Sequence, residues 1–362
     1  MASGISADAE AVLRLLASAR CVLIGGVPAA GKTRLMNEVR EIFAPETGGA
    51  VFNPDQPVVV PDAPALHDLA PSKDRPERFV RQTAMSPTTR FRQFWRDLEP
   101  EVAETGYRIS EGLLYQANEF ASDGGASLVI VDELNRGPAV EVFGGSIVAI
   151  EGDKRLGPDG KRTPWSVPFQ LADGDGVMQE YLLSPHLYLL ASMNRADVSA
   201  EALDGAFLRR WADYNLYPRE DILTAHFDTG NVSGELPSEP SNPKAIYAAA
   251  IQAWGNVNAK LRVGISDDFQ IGHGVLMRAE QPPQSGIDEA LAYIAEGWAM
   301  IERHVREVLF GNDEAIADAL YVSQPGHPYK LQSYSFAGTE VLKLDRLADT
   351  GLYTLLRVVA GG

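Results

Sequence analysis

The 362-residue sequence predicts an α/β fold: a three-layer domain with a mainly parallel sheet over residues 1–217, then a mostly helical domain over 218–362. Three features carry that reading. Short apolar runs alternate with stretches of helical period, the pattern of strands buried on both faces and the helices that cross between them. A glycine-rich turn joins the first such run to a helix. After Tyr217 the composition changes, with the proline- and serine-rich joint SGELPSEPSNPK followed by long helical periods without comparable strand runs.

In chain order, Asp8–Ala17 carries Ala11, Val12, Leu15 and Leu16 at helical spacing. CVLIGG is an apolar run too short for a buried helix and stopped by two glycines, hence a strand, and KTRLMNEVREIF resumes the helical period. Proline and glycine crowd residues 45–71, where AVF and PVVV are the only strand-like pieces and long helix is excluded. Helix is expected around Phe91–Leu98 and again over Ser110–Phe120. SLVIVDE is the most convincing strand, LYLLASMN from Leu187 is another, and Ala202–Trp211 reads as a short helix. IYAAAIQAWGNVNAKL and IDEALAYIAEGWAMIERHVREVLF supply the long helices of the second domain.

Composition excludes several classes. Lys and Arg total 32 against 49 Asp and Glu, a net charge of −17 that repels phosphate backbones and anionic lipid heads. Nucleic acid is therefore expected only indirectly. The single cysteine, Cys21, excludes an intrachain disulfide and a thiol metal cluster, as expected in a reducing cytoplasm. MASGISADAEAV lacks a basic flank before an apolar core, and no apolar run approaches the roughly 20 residues of a membrane helix. A cytoplasmic protein without direct membrane contact is expected.

GVPAAGKT, Gly26–Thr33, matches G-x-x-x-x-G-K-[ST] between a strand and a helix, where that spacing forms a phosphate-binding loop. Its glycines free backbone N–H groups to surround phosphate oxygens, and the helix N-terminus adds its positive dipole end. Lys32 neutralises the outer phosphates and the Thr33 hydroxyl is a magnesium ligand. Gly26, Pro28, Ala29, Ala30, Gly31, Lys32, Thr33 and Arg34 are the candidate nucleotide contacts. Asp132 and Glu133 close SLVIVDE, where one acid can hold magnesium through water and the other can accept a proton from attacking water. Asn194 ends LYLLASMN at the edge where open α/β sheets bind ligands, placed to orient water or touch the γ-phosphate, though an Asn after a strand is also an ordinary turn residue.

The order GVPAAGKT, VDELNRG, EGDKR, SMNRAD and LDGAFLRRW resembles the AAA+ ATPases of the MoxR/dynein-related group, and within it the McrB branch, the NTP-driven motor subunits of modification-dependent restriction systems. The likeness runs from about residue 20 to 280, and FQIGHG is similar to that branch's lid. It implies a P-loop NTPase core with Glu133 as general base, Asn135 and Asn194 placing the lytic water, Asp197 nearby, and Asp132 with Thr33 at Mg2+. It also implies a cross-subunit arginine finger at Arg209 or Arg210, with Arg136 as a weaker second contact; a salt-bridged pair at a helix end is the alternative for the two arginines. The stretch that usually reads MNTADRS is MNRADVS here, so Arg195 replaces a Thr and Val198 an Arg. His273 in FQIGHG is expected to be structural, six scattered histidines showing no metal spacing.

Two basic segments leave alternatives open. EGDKRLGPDGKR reads as a basic hairpin around the turn GPDG, with Lys154/Arg155 and Lys161/Arg162 on its arms, facing either a ring pore or solvent. Lys73, Arg75, Arg78, Arg81, Arg90, Arg92 and Arg96, interleaved with Phe91, Phe94 and Trp95, make either a subunit contact, ordinary surface over a helix's core stripe, or a single-strand platform.

The expected activity is magnesium-dependent ATP or GTP hydrolysis by a hexameric homo-oligomeric ring that drives a separate partner, a McrC-like or other nuclease in antiviral defence. No DNA-reading domain precedes the loop at Gly26, so target choice is expected on another chain. A MoxR-like chaperone working with a von Willebrand-type protein, and a slow nucleotide switch or scaffold, are the alternatives.

Overall fold

A computed structural model of the chain describes residues 5–44, 78–100, 107–196, 203–230, 232, 234–346 and 351–361. The expected pieces AVF and PVVV, and Lys73, Arg75, Asp197 and Val198, lie outside the described residues.

The expected first βα unit forms from α1 (Ala7–Ala19), β1 (Cys21–Gly26) and α2 (Lys32–Phe43). Ser6 caps α1, its side chain accepting from the Ala9 N–H, and its own N–H and Oγ donate to the Glu38 carboxylate on α2 at 2.8 and 2.9 Å. Strands β2 (Arg78–Ala84), β5 (Ala126–Asp132), β8 (Leu187–Ser192) and β9 (Ala212–Leu216) complete a five-stranded sheet in the order β2-β5-β8-β1-β9. β5 pairs in parallel with β2 and with β8, and β8 in parallel with β1. The α/β fold class holds. Six of the seven residues of β5 and all six of β8 are buried, which is why both read as continuous apolar runs. The connection after β1 leads to one edge of the sheet and that after β8 to the other, so the carboxyl ends of these neighbours form a topological switch point.

Contacts divide the chain into two compact units, one of Met1–Gly25 with Lys32–Asn215 and one of Gly26–Gly31 with Leu216–Gly362. The first unit's core includes Leu23, Val129, Val131, Leu189 and Ala191 from the sheet and, around it, Phe94, Trp95, Phe143 of α5 (Ala139–Phe143), Phe207 and Trp211. The second unit is built on α7 (Glu220–Phe227), α8 (Pro243–Gly264), α9 (Ile287–Val308), α10 (Asp313–Ala319) and α11 (Leu352–Val359). Phe227 stacks on Tyr247 in its core at a centroid distance of 4.4 Å.

Four expectations are corrected. The helix expected over Phe91–Leu98 is a single turn, α3 (Phe91–Phe94), followed by β3 (Arg96–Pro100), which pairs antiparallel with β4 (Tyr107–Glu111). The next helix therefore begins only at Leu113, as α4 (Leu113–Ser122). EGDKRLGPDGKR forms its GPDG turn, with the Gly160 N–H donating to Gly157 O at 2.9 Å, but its arms are not strands. The hairpin lies further on, β6 (Phe169–Ala172) with β7 (Met178–Tyr181). The second unit also contains a long hairpin, β10 (Tyr329–Phe336) with β11 (Thr339–Arg346), turned by Ala337 and Gly338 at φ 52° and 82°.

Candidate functional site at the strand ends

In the first unit, four expected residues converge at the carboxyl ends of β5 and β8. Asp132 is the last residue of β5, and its Oδ1 accepts from the Glu133 N–H at 3.0 Å and from the Ser192 hydroxyl at the end of β8. The Glu133 N–H also reaches Ser192 Oγ at 3.1 Å. Glu133 adopts φ 52° and ψ 51°, a left-handed conformation that costs a non-glycine residue about 1–3 kcal/mol and gathers at functional sites. Asn135 is buried, and its Nδ2 donates to Asn194 O at 3.0 Å, tying the segment after β5 to the segment after β8. Asn194 Oδ1 is buried and accepts no hydrogen bond among the described residues. A buried acceptor without a donor costs about 1–3 kcal/mol, so this oxygen is poised for a water or another donor.

Lys32 opens α2 beside these acids. Burial lowers its pKa to about 8, while Asp132 and Glu133 pull the other way. Thr33 and Arg34 follow it, both exposed. The donor set fits magnesium: the Thr33 hydroxyl and the Asp132 carboxylate are hard oxygen donors of the kind that ion takes. Among the described residues no cluster of three His, Cys, Asp or Glu side chains can hold a metal.

In the second unit, the loop Gly26–Gly31 rests on the FQIGHG segment. The Gly272 N–H donates to Pro28 O at 2.8 Å and the Gly274 N–H to Ala29 O at 2.9 Å. A Cβ on Gly272 would lie 2.2 Å from the Ala29 carbonyl carbon, so only glycine fits. The segment is held from behind: Asn258 of α8 bonds both sides of the Ile271 peptide, Trp254 Nε1 donates to Ile271 O at 2.9 Å, and His304 of α9 meets Phe269 O at 2.9 Å. His273 is buried, its Nε2 4.0 Å from where a Gly31 Cβ would stand. Gly31 itself has φ 93° and Ala29 φ 58°, a curl that presents successive backbone N–H groups.

The two expected finger residues part company. Arg210 is held in its own chain, with Nε 3.0 Å from Glu151 Oε1 and NH1 on Ala206 O. Arg209, the residue closing α6 (Gly205–Leu208), is exposed and makes no ion pair among the described residues. Arg136 stands 4.0 Å from Glu133 of its own chain.

The basic segments are mostly structural. Arg155 is fully buried, donating to the carbonyls of Ile150, Ser184 and Leu187 and lying 3.3 Å from Cys21 Sγ, which corrects its placement on a solvated arm. Arg78 packs on the Phe43 ring, Arg81 on Phe79, and Arg96 on Tyr115 while pairing with Glu111. Phe94 and Trp95 are buried in the core, so no base can stack on them. Sequence reasoning missed Ser192 and the two glycines that hold the loop. The serine ends an apolar run two residues before Asn194, and that position at the strand end is the signal that marks it.

No family model matches the chain. Among curated proteins, the EcoKMcrB subunit of the type IV methyl-directed restriction enzyme of Escherichia coli K12 is 27% identical over 173 residues, 46% of this chain and 34% of that protein. The chain thus spans about a third of its relative's length. Two solved structures overlap it: a candidate ATPase of Cytophaga hutchinsonii, 12% identical with a TM-score of 0.31 over 86% of this chain and 78% of that one, and PCH-2 of C. elegans, 13% identical with a TM-score of 0.34 over 80% and 66%. At such scores neither overlap bears on function. With the phosphate loop, the acidic strand end and the asparagine strand end in this order on a parallel sheet, and with an McrB subunit as sequence relative, the chain is similar to McrB-type AAA+ proteins.

Proposed function

We propose that this protein is a magnesium-dependent nucleoside triphosphatase whose ring-shaped homo-oligomer drives a partner protein in restriction-type defence. The observation that carries the chemistry is the convergence of Lys32, Asp132, Glu133 and Asn194 at one end of the sheet, with the Asn194 amide oxygen accepting no hydrogen bond among the described residues. The division near Tyr217 into a nucleotide-binding core and a helical lid belongs to the same proposal.

The roles follow from the chemistry of each group. Backbone N–H groups of Gly26–Thr33 surround the phosphates, and Lys32 takes up their charge, regaining the proton that burial weakens. Water is held between the Asn194 amide and Glu133, whose carboxylate accepts its proton as the oxygen attacks the γ-phosphate. When bound, magnesium supplies charge neutralisation at the β- and γ-phosphates, with Thr33 and Asp132 as its protein ligands. Arg209 serves the neighbouring subunit's site, since among the described residues it alone of the pair is exposed and makes no ion pair. Support for a partner in defence comes from the relative, a subunit of a methyl-directed restriction enzyme.

The test separates binding from hydrolysis. Lys32→Ala should abolish binding of fluorescent ATP or GTP, whereas Glu133→Gln should keep binding and slow phosphate release by about 10²–10⁴-fold. Equal loss of binding in both variants overturns the role assignment. Turnover measured with a McrC-like nuclease or with a von Willebrand-type protein then separates defence from chaperone work.

A further inference from the structure

Arg195 stands where the resembling stretch has a threonine, immediately after Asn194. Its guanidinium NH2 lies 3.2 Å from Asp213 Oδ2 on β9. To reach it, the side chain crosses β1 at Gly25, where a Cβ would stand 2.8 Å from Arg195 Nε and 2.4 Å from Asn215 Oδ1. Asn215 Oδ1 is buried and accepts no hydrogen bond among the described residues, so a second acceptor for the same guanidinium waits one alternate residue along β9. Strand β9 is also the strand that follows Arg209 and Arg210, through Trp211, which packs against Phe143 and Phe207 at 5.9 Å.

We propose that Arg195 is a positioning residue that couples the occupancy of its own chain's nucleotide site to the placement of its own Arg209 in the neighbour's site. The inference rests on the finger reading above. The strand end at Asn194 is fixed by Asn135 and responds to whatever donor fills the Asn194 amide oxygen; Arg195, the next residue, transmits that setting across Gly25 to Asp213, four residues from Arg209. Asp213, which holds the guanidinium, and Asn215, whose oxygen accepts nothing among the described residues, offer it two alternative acceptors, and a coupling between sites needs such an alternative. A ligand that favours one setting shifts the other site only through this differential contact.

The experiment uses mixed assemblies of the full chain. An Arg209→Ala chain supplies intact hydrolytic sites without a finger. Two donors supply fingers without hydrolysis: Glu133→Gln, whose own site holds ATP or GTP, and Lys32→Ala, whose own site is empty. With Arg195 in place, the loaded donor should restore several-fold more phosphate release than the empty donor. Arg195→Thr in both donors should bring that ratio to about one, Asp213→Asn should do the same, and the exchange Arg195→Asp with Asp213→Arg should restore it. A ratio that survives Arg195→Thr overturns the proposal, as does a ratio of one in donors that keep Arg195, or loss of fluorescent-nucleotide binding by the Glu133→Gln donor on adding Arg195→Thr, which would make Arg195 a ligand contact. Failure of both donors to restore any activity overturns the finger reading, a different result from a restored activity that ignores occupancy. Asp213, at a half-exposed position, keeps the test open if the Arg195 variant folds poorly.

Discussion

The strand ends and the basic segments are both rich in charge, yet their charges have opposite fates. Around Arg155, Arg78 and Arg96 each cation is matched inside its own chain, by carbonyls, a ring or a carboxylate. At the strand ends the matching stops short: among the described residues Asn194 Oδ1 accepts nothing, and Arg209 lies in the open without an ion pair. A polar group left unmatched where matching would be easy is a sign of a ligand. A count of arginines in the sequence does not distinguish the two cases.

The largest effect that sharpens this contrast is expected at the two neighbouring arginines. Arg209→Ala should leave nucleotide binding close to normal and reduce turnover by about 10³-fold, the scale of a lost arginine finger. Arg210→Ala removes an ion pair with Glu151 and should act chiefly on thermal stability, with a smaller loss of turnover. Phosphate release and melting temperature measured on both variants decide it. The reverse ranking would exchange their roles.

Arg155→Met comes next. It keeps the bulk of the side chain but strands the carbonyls of Ile150, Ser184 and Leu187 in the core, and should cost about 3 kcal/mol of stability. Denaturant unfolding gives the number directly. A variant as stable as the parent would place Arg155 among dispensable charges and dissolve the distinction drawn above.

What the sequence could and could not convey follows from the same contrast. SLVIVDE and LYLLASMN were legible because strands buried on both faces leave no alternation to confuse with a helix, and because their polar endings fall where ligands bind. Phe91, Phe94, Trp95 and Leu98 have helical spacing, but a single turn followed by a strand reproduces it over so few residues. The β10–β11 hairpin escaped because its turn is Ala-Gly, and an alanine at φ 52° gives no compositional warning. The sequence places Arg155 on a hairpin arm facing a pore or solvent because arginines are seldom buried, and only tertiary contacts show three carbonyls gathered around it. Arg209 and Arg210 look alike in sequence, and Glu151, which separates them, lies 59 positions before Arg210.

A third, smaller effect concerns pH. The free protein's Lys32 has a pKa near 8, below the ordinary lysine value, whereas a bound triphosphate holds it protonated. Affinity for nucleotide is therefore full below about pH 8 and falls as pH rises above it, by about tenfold at pH 9. Near pH 8–9 binding should take up a proton, visible as a dependence of the calorimetric heat on the buffer's ionisation enthalpy. The folded chain itself behaves the other way: between about 8 and the ordinary value the unfolded state holds more protons, so stability gains with pH. Heats independent of buffer over this range would show that the loop lysine is not desolvated before the ligand arrives.

The smallest effect is expected at Arg92, an exposed member of the same basic segment as Arg78 and Arg96. It lines a shallow cavity with Thr89, Arg90, Phe91, Asp97, Glu141 and Val142, whose two acids already balance its two arginines. Arg92→Ala should change stability by no more than about 0.5 kcal/mol, as surface substitutions usually do, and leave turnover of the isolated chain unaltered. One condition separates ordinary surface from subunit contact. If the segment meets the next copy, the same substitution should raise the protein concentration at which light scattering reports assembly with a slowly hydrolysed nucleotide, because the charge then faces a partner's acids. An unchanged assembly curve would return Arg92 to plain surface, and with Arg78, Arg81 and Arg96 already matched internally and Arg90 bonded to the carbonyls of Pro87 and Thr89, the subunit-contact reading of the described part of this segment would go with it.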